Sequence, residues 1–170
     1  MYLKATYSSP KSSQAFFITS PICSFISVLI SQTIFEAAKK EEIKERLELN
    51  GDYFWLLDEL GEVCAFVHGL PTNAVNLTDD MFHSAEQYDT NGDWLMLLSV
   101  ATHPAHRCKG YARSVMRQVI SDSRAQGRKG IVLTCKEHLI PFYQKFGFMD
   151  EGKSASTHGG SVWYQMRLTF

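Results

Sequence analysis

The chain has 170 residues, 45% of them hydrophobic, enough for one domain with a substantial core and no second domain. Its 17 Lys and Arg balance 18 Asp and Glu to a net charge of −1, which leaves no basic face for a nucleic-acid backbone. Four widely spaced cysteines with no C-x-x-C pair suggest neither a zinc site nor a disulfide framework and fit a reduced, cytoplasmic setting.

Residues 1–14 read as a polar, loosely ordered extension, and 15–170 as the domain. Ala15 to Ile30 is apolar but too short, and too rich in Ser, Thr and Pro, for a membrane span. Its periodicity gives a strand at Phe16-Phe17-Ile18, a helix start at Ser20-Pro21, and one helical face through Ile22, Phe25, Ile26, Leu29, Thr33 and Ile34. A charged second helix spans Lys40 to Leu49 and stops at Asn50-Gly51. Tyr53 to Leu57 and Val63 to Val67 form a hairpin around an Asp58 to Gly61 turn. Leu70 to Gly92 is a long polar connection, of the kind that is usually functional or mobile. Trp94 to Val100 is a central strand.

The turn after that strand, Arg107-Cys108-Lys109-Gly110-Tyr111-Ala112, opens an amphipathic helix whose apolar face carries Val115, Met116, Val119 and Ile120, with a stop at Gly127. Unpaired N–H groups and the positive end of the helix dipole make such a start a holder of phosphate. Gly110 permits close backbone approach, Ala112 keeps the first turn small, and Arg107 and Lys109 add charge. Ile131 to Thr134 is a short strand, Pro141 to Phe148 an amphipathic helix and its exit, and Val162 to Leu168 a last strand reached through Gly159-Gly160. Cys64 and Cys135 sit in apolar strands as small core residues, whereas Cys108 lies in the turn. Lys39-Lys40 and Arg128-Lys129 read as solvated surface.

R-x-x-G-x-A over Arg107–Ala112, followed by a strand and P-F-Y-x-x-F-G-F over Pro141–Phe148, resembles the GNAT superfamily of acyl-CoA-dependent N-acetyltransferases. The second block, with Leu133-Thr134-Cys135-Lys136-Glu137, resembles its arylalkylamine branch in particular. The correspondence covers Trp94 to Phe170; the first half follows by order of elements. The resemblance implies an α/β (α+β) single-domain fold with a mixed sheet of six to seven strands, splayed at its centre, and about four helices.

It also implies a chemistry. Acetyl-CoA lies with its pyrophosphate on the amides of Cys108, Lys109, Gly110, Tyr111, Ala112 and Arg113, beside Arg107, and its pantetheine arm along Val100, Ala101 and Thr102. A small primary amine attacks the thioester directly, with no metal and no covalent enzyme intermediate. Tyr143 matches the tyrosine that contacts the cofactor and protonates the leaving thiolate, and the amide of Val100 or a neighbour polarises the carbonyl. The arylalkylamine branch carries two histidines on its central strand, where this chain has Met96 and Leu98, and neither accepts a proton. His158 is the first substitute base, followed by Asp93, Glu36 and His83; His103 and His106 flank the phosphate turn and belong to the cofactor side or the surface.

The acceptor surface is expected around Phe35, the Leu70 to Gly92 connection and the Thr157 to Gly160 turn, with Met81, Phe82, Met96 and Trp163 as either pocket or core. Asp79-Asp80 and Glu86 leave a polycationic amine open. Two other functions fit the same residues: a protein or peptide N-acetyltransferase, and a non-catalytic CoA-binding regulatory module. The expected partners are acetyl-CoA and the amine, with no nucleic acid or membrane, in a monomer or homodimer.

Overall fold

The computed structural model describes residues 2–4, 51–59, 62–84 and 87–170. The strand at Phe16–Ile18, both expected N-terminal helices, Phe35, Glu36 and Glu86 lie outside the described residues. The strands are β1 (Tyr2–Lys4), β2 (Phe54–Glu59), β3 (Glu62–Thr72), β4 (Trp94–Thr102), β5 (Gly130–Cys135), β6 (Met149–Lys153) and β7 (Tyr164–Thr169). The helices among the described residues are α1 (Tyr111–Ala125) and the short α2 (Ile140–Gln144). Among the described residues these seven strands form one sheet in the order β1-β2-β3-β4-β5-β7-β6, mixed because β4 and β5 are parallel while β5 and β7 are antiparallel. This is the α/β (α+β) architecture that the resemblance implies. No helix among the described residues is long and apolar enough to cross a membrane.

Two compact units divide the chain: Met1–His68 with Val100–Val115, and Gly69–Ser99 with Met116–Phe170. In the first, the hairpin β2–β3 has side chains buried on both faces: Phe54 to Leu57 on one strand and Cys64 to Val67 on the other. A strand covered on both faces reads as a continuous apolar run, and these two do. Both strands are longer than the sequence suggests. Asp58, expected in the turn, pairs with Val63, and the ladder closes at Glu59 opposite Glu62. Tyr2–Lys4, inside the stretch read as an extension, pairs antiparallel with β2, Lys4 opposite Trp55.

The second unit is built on β5, where Ile131, Val132 and Leu133 are buried. It pairs with β7 from Gly130–Thr169 to Cys135–Tyr164, but with β4 only from Trp94–Gly130 to Leu97–Leu133. Beyond Leu97, β4 runs on to Thr102 without β5, and this is the splay of the parallel pair. The connection after β3 is not merely polar. A single turn of 3-10 helix at Asp79–Phe82 puts Met81, with Leu77, into a core shared with Leu70, Met96 and Val132, so Met81 and Met96 are core residues.

Helix α1 ends as its sequence signals. Gly127, at φ 72°, donates to the Arg124 carbonyl at 2.9 Å, and Arg128 N–H reaches the Ser123 carbonyl at 3.2 Å, the two bonds of a Schellman cap. Arg128, expected on the surface, is buried. Its guanidinium donates to the carbonyls of Gly92 and Thr90, which pins the β4 entry to the end of α1; Lys129 alone faces solvent, in an ion pair with Asp93 at 2.7 Å.

Candidate functional site

The turn expected to hold phosphate begins with a cap. His103 accepts the Ala105 N–H on Nδ1 at 3.2 Å and donates its own N–H to the Cys64 carbonyl at 2.8 Å, fixing the 3-10 turn Pro104–His106. Two left-handed residues follow, Cys108 at φ 62° and Gly110 at φ 86°. Glycine adopts this conformation freely, whereas Cys108 does so at a cost of about 1–2 kcal/mol. Where a side chain on Gly110 would stand, there is no atom within 4 Å. The first helical hydrogen bond runs from Ser114 N–H to the Gly110 carbonyl at 3.0 Å, so the amides of Tyr111, Ala112 and Arg113 are first-turn donors. Arg107, Cys108, Lys109, Gly110 and Arg113 are all exposed, and Tyr111 and Ala112 half-buried. An anion at this helix start meets oriented amides and three nearby cations. Val100, Ala101 and Thr102, half-buried at the end of β4, lie in the stretch of β4 beyond its ladder with β5.

Tyr111 is tied down. Its phenol donates to Glu59 Oε2, and that bond, with some burial and the carboxylate charge, raises its pKa to about 12. Its ring stands 5.8 Å from that of His106.

Tyr143, in the second unit, is locked by the residues after it. Gly147, at φ 92°, donates to the Gln144 carbonyl at 2.9 Å, and Phe148 N–H reaches the Tyr143 carbonyl at 3.4 Å. Phe148 then packs its ring edge-on to Tyr143 at 5.9 Å, the apolar contact that accompanies a Schellman cap. Phe142 meets the same ring at 5.1 Å. The run Phe146-Gly147-Phe148 therefore sets where Tyr143 stands. Burial, and then Cys135 nearby, push the Tyr143 phenol well above the usual tyrosine range, so it stays protonated at neutral pH. Burial likewise lifts the Cys135 thiol to about 11.

His158, also in the second unit, sits in an aromatic group. It stacks on Phe82 at 5.1 Å and 16°, with His83 at 6.2 Å and Trp163 at 6.4 Å. Trp163 Nε1 donates to the His158 carbonyl at 2.8 Å, and Lys136 lies 3.9 Å over the Trp163 ring. Asp79 holds this turn by accepting from the Ser156 hydroxyl and from Thr157 N–H at 3.0 Å. The Ser156 bond first, then the Thr157 bonds and the charge of His158, hold the Asp79 carboxyl below its ordinary range against a smaller opposing effect of burial.

Among the other candidate bases, Asp93 is engaged with Lys129 and His83 is exposed on the 3-10 turn after Met81. Sequence reasoning missed Glu59, and it named Asp79 only as a group for a polycationic amine, not as the anchor of the 156–158 turn. Their partners lie 52 and 77 residues away, and no local spacing announces such a pair.

Comparison with known proteins places this geometry in context. The family model described as Acetyltransferase (GNAT) family matches residues 24–148. Among solved structures the chain is similar to ribosomal-protein-alanine N-acetyltransferase from Brucella melitensis, at 14% identity over 100% of this chain and 99% of that one, TM-score 0.69. It is similar to ribosomal-protein-S18-alanine N-acetyltransferase from Escherichia coli, at 14% identity over 88% of each chain, TM-score 0.65. It is also similar to the GphF GNAT-like decarboxylase in complex with isobutyryl-CoA, at 14% identity over 88% of this chain and 95% of that one, TM-score 0.72. These likenesses carry the fold, while the family match runs from the N-terminal half through the phosphate turn to the last residue of the P-F-Y block. On that match the chain belongs to the GNAT family of acetyltransferases, enzymes that transfer acyl groups.

Proposed function

We propose that this enzyme transfers an acetyl group from acetyl-CoA to a small primary amine with a flat apolar body, with residues 15–170 as the transferase domain. The observation that carries the donor half is the Cys108–Gly110 turn, whose left-handed residues and open space above Gly110 suit a pyrophosphate on the first turn of α1. The pantetheine arm lies along Val100, Ala101 and Thr102, where main-chain groups of β4 bind it as a strand. The half-buried group of Phe82, His158 and Trp163 supports an aromatic or aliphatic acceptor.

In this reading the amine nitrogen attacks the thioester carbon, a C–N bond forms and the C–S bond breaks. His158 takes the proton released by the amine, directly or through water, and Tyr143 gives its proton to the leaving sulfur. The amide of Val100 or a neighbour stabilises the developing oxyanion. Met96, fully buried, and Leu98 occupy the positions of the branch's histidine pair, which is why the base is sought at His158.

A second reading, acetylation of a protein or peptide amine, draws on the names of two of the structural relatives. Competition separates the two. With acetyl-CoA fixed, rates are compared for arylalkylamines, polyamines, amino acids and N-terminal peptides. A kcat/KM at least tenfold higher for an arylalkylamine supports the small-amine reading; a preference of that size for a peptide overturns it in favour of the protein acceptor. CoA binding with no acetylation of any acceptor points instead to the non-catalytic module.

A further inference from the structure

We infer that Glu59, Cys64 and His106 form a binding site for a single divalent transition-metal ion of the zinc class, separate from the residues proposed for transfer. One ligand atom from each, a carboxylate oxygen, the Cys64 Sγ and an imidazole nitrogen, all lie within 4.8 Å of one another. Ligand atoms of a tetrahedral zinc, with bonds of about 2.0–2.3 Å, stand roughly 3.3–3.8 Å apart. Side-chain movement on the order of 1 Å closes the present set around an ion. A sulfur, nitrogen and oxygen donor set suits zinc or cobalt rather than magnesium or calcium, and leaves a fourth position for water.

Main-chain geometry positions Cys64 and His106, and Tyr111 positions Glu59. In the hairpin, Leu57 pairs with Ala65 and Asp58 with Val63, so Cys64 is the extra residue of a β-bulge, a device that re-aims a side chain. The carbonyl of that same residue accepts the His103 N–H at 2.8 Å, and His103 caps the turn that ends in His106. Tyr111 engages Glu59 through Oε2, which leaves the second carboxylate oxygen for a metal and orients the group as an outer hydrogen bond does in metal sites. Cys64 is fully buried while Glu59 is exposed, so an ion enters from the carboxylate side. On binding, the Cys64 thiol gives its proton to solvent as the sulfur–metal bond forms. The ion then ties the end of the β2–β3 hairpin to the residue immediately before Arg107, at the start of the phosphate turn. Three ligands at positions 59, 64 and 106 have no motif spacing, which is why the sequence suggests no zinc site.

The test uses the full chain, stripped with a chelator and titrated with cobalt(II), then zinc(II). The expected result is one cobalt per chain with a thiolate-to-cobalt charge-transfer band, displaced by one equivalent of zinc. Cys64→Ser abolishes the band, His106→Ala and Glu59→Gln weaken binding at least tenfold, and Tyr111→Phe weakens it about 10–100-fold. Cys108→Ser, which removes an exposed thiol, leaves the band in place. Absence of stoichiometric uptake overturns the proposal, as does a band that survives Cys64→Ser or is lost in Cys108→Ser. Circular dichroism monitors folding; if Cys64→Ser unfolds, unchanged cobalt affinity in His106→Ala overturns the site by itself.

Discussion

A phenol that must give up a proton at neutral pH needs to be protonated and held still, and Tyr143 is both. Its burial and the neighbouring Cys135 keep it neutral, and the Phe142 and Phe148 rings bracket it. Removing only its oxygen leaves that packing in place, so Tyr143→Phe is expected to lower kcat by about 10²–10⁴ with little change in the CoA dissociation constant. Steady-state kinetics beside calorimetric titration of CoA checks this, and an unchanged kcat removes Tyr143 as the acid. Gly110 is the complementary case. At φ 86° with open space above it, Gly110→Asp adds strain and a negative charge where the pyrophosphate is proposed to sit. CoA affinity is expected to fall at least tenfold, and a preserved affinity refutes the phosphate-turn assignment.

Among the elements, the turn at residues 156–158 depends on a carboxylate from a distant segment. Asp79 is held below the ordinary range chiefly by Ser156, and Glu151 chiefly by Arg167, whose Nε lies 2.6 Å from Oε1. A carboxyl with a lowered folded-state pKa stabilises fully above its unfolded value of about 4 and loses that contribution as pH falls through the folded value. Each is solvent-exposed enough that the effect stays below about 1 kcal/mol. Denaturant unfolding at pH 6 and pH 3 is expected to show a smaller acid loss for Asp79→Asn than for the native chain. Equal losses contradict the role given to Asp79.

The same elements show what a sequence reveals. Helix α1, its Gly127 stop, the strand β5 and the P-F-Y block were legible because their signals are local: apolar residues at helical spacing, and a glycine that frees the backbone. Arg128 was misplaced on the surface because its burial depends on the carbonyls of Thr90 and Gly92, which only tertiary structure brings to it. The connection after β3 looked polar because Leu77 and Met81 are isolated among Asp, Asn and Thr, yet they complete a core with Met96 and Val132. Glu59, and the bonds that tie Asp79 to Ser156 and Thr157, escaped for the same reason.

At the scale of the whole molecule, the described residues give seven strands in one mixed sheet, a parallel pair that separates after Leu97 and an open turn at the head of α1, in a chain of the GNAT family. In the proposed reading, Met96 and Leu98 stand where the arylalkylamine branch carries its histidine pair, and the aromatic turn around His158 is proposed to supply the base in its place. The most direct test follows both products at once, thiol release from acetyl-CoA and the mass of the acetylated acceptor, with purified protein and an arylalkylamine. Equimolar free CoA and N-acetylamine, reduced at least tenfold in His158→Ala and in Tyr143→Phe, is the expected result. Tight CoA binding without either product across arylalkylamines, polyamines, amino acids and peptides contradicts catalysis of amine acetylation by this chain.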